Sequence, residues 1–298
     1  MQSNQHIQHY SFWVRLATSL ALIIAGSMIL VKMWAWYQTD SATMLASLSD
    51  SIFDVAASVI NFFVIRYALM PADDDHRFGH GKAESLAGLA QAAFILGSAL
   101  LLIFHSLERI KNPHPVSRPE LAIYATLFSV VVTLLLVIVQ RIAIKKTQSV
   151  ALKADSMHYQ SDLLMNLAVL VAIGMTMTGY SSVDGWFAIG IALYLVWGAR
   201  EIAMESAAAL MDKELPSEFT LQIEQIVKQH PLVYGVHDIR TRQSGATKFV
   251  QFHLELNDNM SLFDAHRVSD KVEADIVAAV PEADVLIHQD PISVVNKG

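Results

Sequence analysis

Two stretches of the sequence place ionisable side chains four residues apart inside otherwise apolar runs. Asp50 and Asp54 form one pair, and His158 and Asp162 form the other. Residues at i and i+4 share one face of an α-helix, so each pair predicts a half-site that can face the other. Three carboxylates and one imidazole offer four ligands, which suits tetrahedral zinc, whereas magnesium and calcium prefer six or more oxygens. Manganese, iron(II), cobalt and cadmium stay open as alternatives, because ligand type separates them poorly.

These pairs need compensation if they lie in a membrane. A carboxylate at the bilayer centre costs roughly 2.5–3.5 kcal/mol on insertion scales. Neither run holds a basic residue deep within it, so a bound cation is the simplest compensation. The alternative is that the groups pair with Lys or Arg elsewhere, or cap helices at the interface. Lys153 and Asp155, at the start of the run that holds His158 and Asp162, are expected at that interface.

Six apolar runs position the pairs. They cover residues 12–36, 44–69, 83–107, 121–142, 152–177 and 183–210, and the pairs fall in the second and the fifth. About 20 apolar residues span the hydrocarbon core as a helix. The sequence therefore predicts an α-helical membrane protein: an N-terminal tail over residues 1–11, a six-helix transmembrane bundle over 12–211, and a C-terminal domain over 212–298.

Basic residues predict the orientation of the bundle, because loops rich in Lys and Arg stay in the cytoplasm. The side of the two termini holds Arg66, Arg77, Lys82, Arg141, Lys145, Lys146, Lys153, Arg200 and Lys213, whereas the other side holds Arg109, Lys111 and Arg118. Both termini are therefore expected in the cytoplasm.

The composition excludes several classes of protein. Of 298 residues, 53% are hydrophobic and 16% are charged, against about 25% charged in a typical soluble domain. The net charge of −7 gives no indication of nucleic-acid binding. The absence of Cys excludes disulfides and thiolate metal sites, so any metal must bind imidazole and carboxylate.

The C-terminal domain has the pattern of a small α+β fold. Residues 216–229 and 261–280 predict helices, and residues 233–242, 248–256 and 284–288 predict strands. His253 falls on the polar face of the second strand, and His288 and Asp290 share a face if the third strand continues. His237 and His266 add imidazoles. From the residues alone, scattered surface histidines are an open alternative to a metal site.

A loop between the second and third runs also carries possible ligands. Asp73, His76 and His80 lie within eight residues, which is enough for a local three-ligand site, and Asp74 or Asp75 could substitute. An ordinary acidic, solvated loop is the alternative.

Together these features resemble the cation diffusion facilitator family, and in particular its bacterial zinc and ferrous-iron efflux members. The resemblance covers almost the whole chain: six spans, an Asp pair in span two, His-x-x-x-Asp in span five, the His/Asp loop and the soluble tail. It implies a homodimer in the bacterial inner membrane that exports divalent metals from the cytoplasm in exchange for protons, by alternating access. Zinc is expected first, with cadmium and ferrous iron as further substrates, and no organic cofactor is implied.

The resemblance also assigns residues to sites. It implies a transport site at Asp50, Asp54, His158 and Asp162, and a loop site at Asp73, His76 and His80. It implies a site in an αββαβ, metallochaperone-like tail at His237, His253, His266, His288 and Asp290, where zinc would also be structural. Lys82 and Asp212 match a structural salt bridge of the family, although two unrelated interface charges are the alternative.

Two other functions can use the same residue types. An intramembrane metal-dependent hydrolase would bind catalytic zinc with His and carboxylates, but the sequence has no His-Glu-x-x-His motif. A metal-gated channel or sensor is the second alternative.

Overall fold

The computed structural model describes residues 2–39, 42–111, 119–176 and 183–295. Its elements in chain order are α1 (Gln2–Thr39), α2 (Ala42–Ala68), α3 (Lys82–Lys111), α4 (Pro119–Thr147), α5 (Val150–Thr176), α6 (Val183–Leu210), α7 (Ser217–Lys228), β1 (Gly235–Ser244), β2 (Thr247–Leu256), α8 (Leu262–Ala279), β3 (Ala283–Pro291) and α9 (Ile292–Val295). Each predicted span corresponds to one of the helices α1 to α6. The C-terminal elements keep the predicted order, with α9 added at the end.

The long helices differ in how apolar their sequences are. Among the described residues, Gln8–Trp34, Lys82–Glu108, Thr126–Thr147 and Trp186–Leu210 are long and apolar enough by length and composition. Helices α2 and α5 are not in this set, and they are the helices that carry Asp50, Asp54, His158 and Asp162. Each has 27 residues, or about 40 Å of helix, which exceeds the hydrocarbon thickness.

Local signals set the ends of the helices around the site. Helix α1 begins at Gln2, so the residues predicted as a tail continue the first span as helix. Helix α4 ends before Gln148, which has a left-handed backbone with φ of 54°. The hydroxyl of Ser149 then accepts the N–H of Leu152 at 3.2 Å and so caps the start of α5.

Two clusters of buried side chains hold the helices together. Ala92, Ile95 and Ala99 of α3 pack with Ala154 of α5 and with α6 residues that include Ala199. Small residues at such contacts let helix backbones approach closely, which is typical of packing in membranes. In the other cluster Ala21 of α1 packs with Leu136 and Val137 of α4 and with Tyr159 of α5. Helix α5 thus contacts neighbours on both sides.

The described residues divide into two compact units. One, called the helical unit below, is drawn from Phe12–Met70 and Ala83–Ala207. The other is drawn from Met1–Ser11, Pro71–Lys82 and Ala208–Gly298. The second unit therefore contains both the loop after α2 and the C-terminal domain.

The C-terminal domain buries one face of a three-stranded sheet. Val250, Phe252, Leu254 and Leu256 alternate along β2 and pack against α7 and α8, with Phe252 and Leu254 almost fully buried. The strand order is β1-β2-β3, with β1 antiparallel and β3 parallel to β2. Because side chains alternate between faces, His253 lies on the opposite face of the sheet from this core.

The loop over residues 71–82 lies against the turn between β1 and β2. The ring of Phe78 meets the ring of Phe249 edge to face, with centroids 5.7 Å apart. The guanidinium of Arg242 lies 5.0 Å from the Phe78 centroid and 4.8 Å from the Phe249 centroid. A Cβ atom on Gly81 would lie 2.5 Å from the carbonyl oxygen of Ser244, so the backbones approach too closely for any other residue.

We expect Gly81→Ala to loosen this packing, because the new methyl group meets backbone atoms that cannot rotate away. Overpacking of this kind costs about 1–3 kcal/mol. Hydrogen exchange of the amides in residues 71–82 and 243–247 should become faster. Gly97→Ala is the matched control, because a Cβ there meets nothing within 4 Å. Equal exchange in the two variants would show that the close approach does not constrain the loop.

Candidate metal centres

Among the described residues, three groups of three His and Asp side chains each bring one ligand atom per residue within 4.8 Å of one another. They are Asp54, His158 and Asp162; Asp73, His76 and His80; and His237, His253 and Asp290. Each group falls in one of the three regions where the sequence predicts a metal site.

The first group joins α2 to α5. The Nε2 atom of His158 lies 3.2 Å from Asp54 Oδ1 and 3.8 Å from Asp162 Oδ2. Asp54 comes from α2, and the other two come from α5 at the i, i+4 spacing. The predicted half-sites therefore face each other. Asp50 lies one turn before Asp54 on α2, but its side chain lies outside the described part of the chain.

The group opens into a cavity of about 680 Å³ whose lining includes Asp54, His158, Asp162, Ser51 and Lys32. His158 is 7% exposed, and its Nε2 atom makes no hydrogen bond of acceptable geometry among the described groups, although two carboxylates lie near it. An imidazole nitrogen within 4 Å of two carboxylates is an arrangement that a shared cation would complete. The donor set therefore fits a divalent metal as a transported substrate.

Two residues near this group were not foreseen from the sequence. Lys32 of α1 lines the same cavity and donates to Ser51 of α2, so a basic side chain enters this cavity, although none lies deep in α2 or α5. Asp155 is 2% exposed, and its Oδ2 accepts a hydrogen bond from the side-chain amide Nε2 of Gln140 on α4 at 2.8 Å. Asp155 is therefore buried by protein, because α4 covers the first turns of α5.

The loop group is built by a tight turn. Asp73 Oδ1 accepts the backbone N–H groups of His76 at 2.6 Å and of Asp75 at 3.1 Å. The backbone N–H of His76 is the main cause that lowers the pKa of Asp73 below its usual value. Asp73 Oδ1 lies 3.3 Å from His76 Nδ1, and Asp73 Oδ2 lies 3.3 Å from His80 Nε2. All three predicted ligands are therefore together, with His80 buried and the other two exposed. Asp74 instead pairs with Arg77 at 2.9 Å.

The predicted salt bridge is present in the structure. Lys82 Nζ lies 2.9 Å from Asp212 Oδ1, and Arg242 donates to the same carboxylate at 3.4 Å. The hydrogen bond from Lys82 is the largest cause that lowers the pKa of Asp212. Asp212, two residues after the end of α6, has φ of 56°, and the N–H of Lys213 reaches back to the carbonyl of Ala208 at 3.0 Å. This helix ending directs the carboxylate towards both cations.

Strand register assembles the tail group. His237 of β1 is paired with His253 of β2, which is paired with His288 of β3. Directly paired residues share a face, so the three imidazoles form a row across the sheet. The ring centroids are 5.1 Å apart for His237 and His253, and 4.5 Å apart for His253 and His288. Strand β3 continues to Pro291, which places Asp290 on the same face as His288.

Asp290 is the central acceptor of this row. Its Oδ2 lies 2.7 Å from His253 Nδ1 and 3.5 Å from His237 Nε2, and its Oδ1 lies 3.2 Å from His288 Nε2. Four of the five predicted tail ligands are thus together. The fifth, His266, is on α8 and pairs with Asp270 at 3.5 Å. Helix α8 packs on the apolar face of the sheet, so His266 does not join the row within its own chain.

Two acidic residues of the tail group were missed. Glu255 Oε1 lies 2.8 Å from His237 Nδ1, while His237 Nε2 faces Asp290. A carboxylate on the ring nitrogen that faces away from a metal site typically orients the imidazole. Its position two residues after His253 on a strand was the available signal. Asp238, with φ of 50°, lies in an irregularity of register between His237 and Arg240 and places its Oδ2 3.7 Å from His253 Nε2. Such bulges re-aim side chains near functional sites and are hard to locate from sequence.

Comparison with known proteins identifies the architecture. Residues 18–211 match the family model described as the cation efflux transmembrane domain, and residues 215–292 match the model of the cation efflux protein cytoplasmic domain. Cation-efflux pump FieF of Shewanella oneidensis is 48% identical over 96% of both chains, and that of Citrobacter koseri is 47% identical over 97% of both. The solved metal-bound C-terminal domain of the CzcD transporter from Thermotoga maritima is 26% identical, with a TM-score of 0.25, and the match covers 26% of this chain and 94% of that one.

The predicted family is therefore confirmed, and the function is transport rather than hydrolysis. The chain belongs to the cation diffusion facilitator family of membrane proteins, and it is a transporter that exports metal cations.

Proposed function

We propose that this chain exports divalent transition-metal ions, with zinc as its main substrate, from the cytoplasm in exchange for protons. The observation that carries the proposal is the cluster of Asp54, His158 and Asp162, whose ligand atoms lie within 4.8 Å of one another in a cavity of the helical unit. The cluster draws ligands from two helices, so a movement of one helix against the other can assemble it or take it apart.

The donor set supports zinc. One imidazole and two carboxylates, with Asp50 as the proposed fourth ligand, match the nitrogen and oxygen donors and the four-coordinate geometry that zinc takes. The same donors accept cadmium and iron(II), because affinities of such sites follow a general order among divalent metals rather than a sharp selection. We therefore propose cadmium and iron(II) as further substrates.

Proton exchange follows from the same residues. Carboxylate and imidazole groups bind either a proton or a metal, and metal ligands must be deprotonated. An arriving metal ion therefore displaces protons from the cluster, and protons arriving from the other side displace the metal. Competition for one set of atoms is what couples the two fluxes in an exchanger.

We further propose a homodimer in the bacterial inner membrane with both termini in the cytoplasm. The excess of basic residues on the side of the termini supports the orientation. The loop group and the tail group are proposed as regulatory or structural metal sites. Metal that binds only the folded tail stabilises it by mass action, so the tail metal would strengthen the assembled form.

Asp54→Asn tests the transport cluster, because it keeps the size of the side chain and removes its charge. We expect zinc flux into proteoliposomes to fall by at least about 100-fold, since loss of even an indirect partner of a metal ligand costs 10- to 100-fold. Glu201→Gln is the matched control, because Glu201 is exposed on α6. Equal flux through the two variants would contradict the assignment.

The direction of coupling needs a separate measurement. Zinc movement through the unmodified chain should rise when an opposing proton gradient is imposed, and a pH-sensitive dye should report counterflow of protons. The reason is that protons at the far side empty the cluster for the next ion. Flux that does not respond to the gradient would instead favour a metal-gated channel.

Asp290→Asn should separate the tail site from the transport site. Asp290 contacts three imidazoles, so we expect tail metal affinity to fall about 10- to 100-fold by calorimetry, with transport-site affinity unchanged. Asp275→Asn is the control, because Asp275 is exposed on α8. Equal loss of affinity at both sites in the Asp290 variant would contradict separate roles.

A further inference from the structure

Lys32 is a basic residue of the helical unit to which the proposed exchange reaction assigns no role. It lies in the C-terminal part of α1, and its Nζ atom donates to the hydroxyl of Ser51 on α2 at 2.6 Å. Ser51 is 3% exposed, directly follows Asp50, and lies three residues before Asp54. Residues three apart share a helix face. The ammonium group is therefore held on the side of α2 that carries Asp54.

Lys32 and the metal-binding cluster share one cavity. The same space of about 680 Å³ is lined by Lys32, Ser51, Asp54, His158 and Asp162. Lys32 is partly buried and lies within the apolar stretch Gln8–Trp34, two residues from its end. A charged side chain in a membrane-spanning stretch is a functional candidate by default. A lysine that only needed to reach the interface would extend its stem towards it, whereas this ammonium bonds to a buried hydroxyl in the cavity.

We propose that Lys32 sets the affinity of the transport site by placing a fixed positive charge beside the bound ion. A protonated lysine has three donors and no acceptor, so it adds charge to the cavity without adding a ligand. Repulsion between the ammonium and a divalent ion is strong where water is scarce. Lys32 therefore weakens metal binding and speeds release, and it partly balances the carboxylates when the site is empty. This proposal rests on the proposed transport function of the same cluster.

A purely structural role makes a different prediction. If Lys32 only linked α1 to α2 through Ser51, then removing either partner of the hydrogen bond would have the same effect. If its charge matters, then a neutral residue at position 32 changes metal affinity more than loss of the hydroxyl at Ser51 does.

The experiment uses the full chain with Asp73→Ala and Asp290→Asn, so that the loop and tail groups do not obscure the titration. Zinc is titrated by calorimetry into this parent and into three variants of it. Lys32→Gln, which is neutral, should bind zinc at least about tenfold more tightly, an increase that loss of one repulsive charge readily supplies. Lys32→Arg keeps the charge and should match the parent. Ser51→Ala keeps the ammonium and should change the affinity by less than Lys32→Gln does.

Transport should show the same separation. In proteoliposomes Lys32→Gln should lower the KM for zinc and also lower the maximal rate, because a more tightly held ion leaves more slowly. Lys32→Arg should restore both values. Affinity that is unchanged or weaker in Lys32→Gln, or an equal gain in Ser51→Ala, overturns the role of Lys32. Zinc binding by the parent that is insensitive to Asp54→Asn overturns the transport assignment itself, so the two failures are distinguishable.

Discussion

Asp54 reaches His158 from a different helix, and that 3.2 Å approach requires α2 and α5 to be held at a fixed distance. Other contacts in the helical unit serve this requirement. The hydroxyl of Tyr159 lies 2.8 Å from the hydroxyl of Ser58 on α2 and donates to the carbonyl of Ala21 on α1 at 3.3 Å. Because Tyr159 adjoins His158, these bonds link α5 to α1 and α2 at the level of the Asp54, His158 and Asp162 cluster in this conformation.

The charges of the buried carboxylates set a second requirement at the same cluster. Carboxylates in an apolar layer each cost roughly 2.5–3.5 kcal/mol on insertion scales, so the bundle must supply compensation when no metal is bound. The structure supplies it from several directions: the imidazole of His158 beside two carboxylates, the ammonium of Lys32 in the same cavity, and the amide of Gln140 on Asp155. In the proposed exchange, the metal ion is an added charge in a site that is already partly balanced, which favours release over permanent retention.

Much of this arrangement could be predicted from the sequence, because it depends on local periodicity. The spacing of four residues fixes His158 and Asp162 on one face of α5, and the alternation along β2 fixes His253 opposite the apolar core. Contacts between elements were less accessible. Lys32 reaches Ser51 across 19 residues, and no repeat or spacing in either segment indicates it. His266 was grouped with the other tail histidines through the family resemblance, but the side of the sheet on which α8 packs keeps it from the row within its own chain.

Similar donor chemistry supports different behaviour in the two units because the scaffolds differ. In the tail, Asp290 and three histidines are fixed by strand register, and Glu255 orients His237 from behind. Main-chain hydrogen bonds hold such a row together whether or not a metal is bound, so the proposed tail site would favour retention. In the helical unit the ligands lie on α2 and α5, which are joined by side-chain contacts and not by a backbone ladder. A shift of one helix along the other alters every distance between the half-sites at once, so an ion bound between them would lose the ligands of one helix. The helical site is therefore the one whose scaffold permits release.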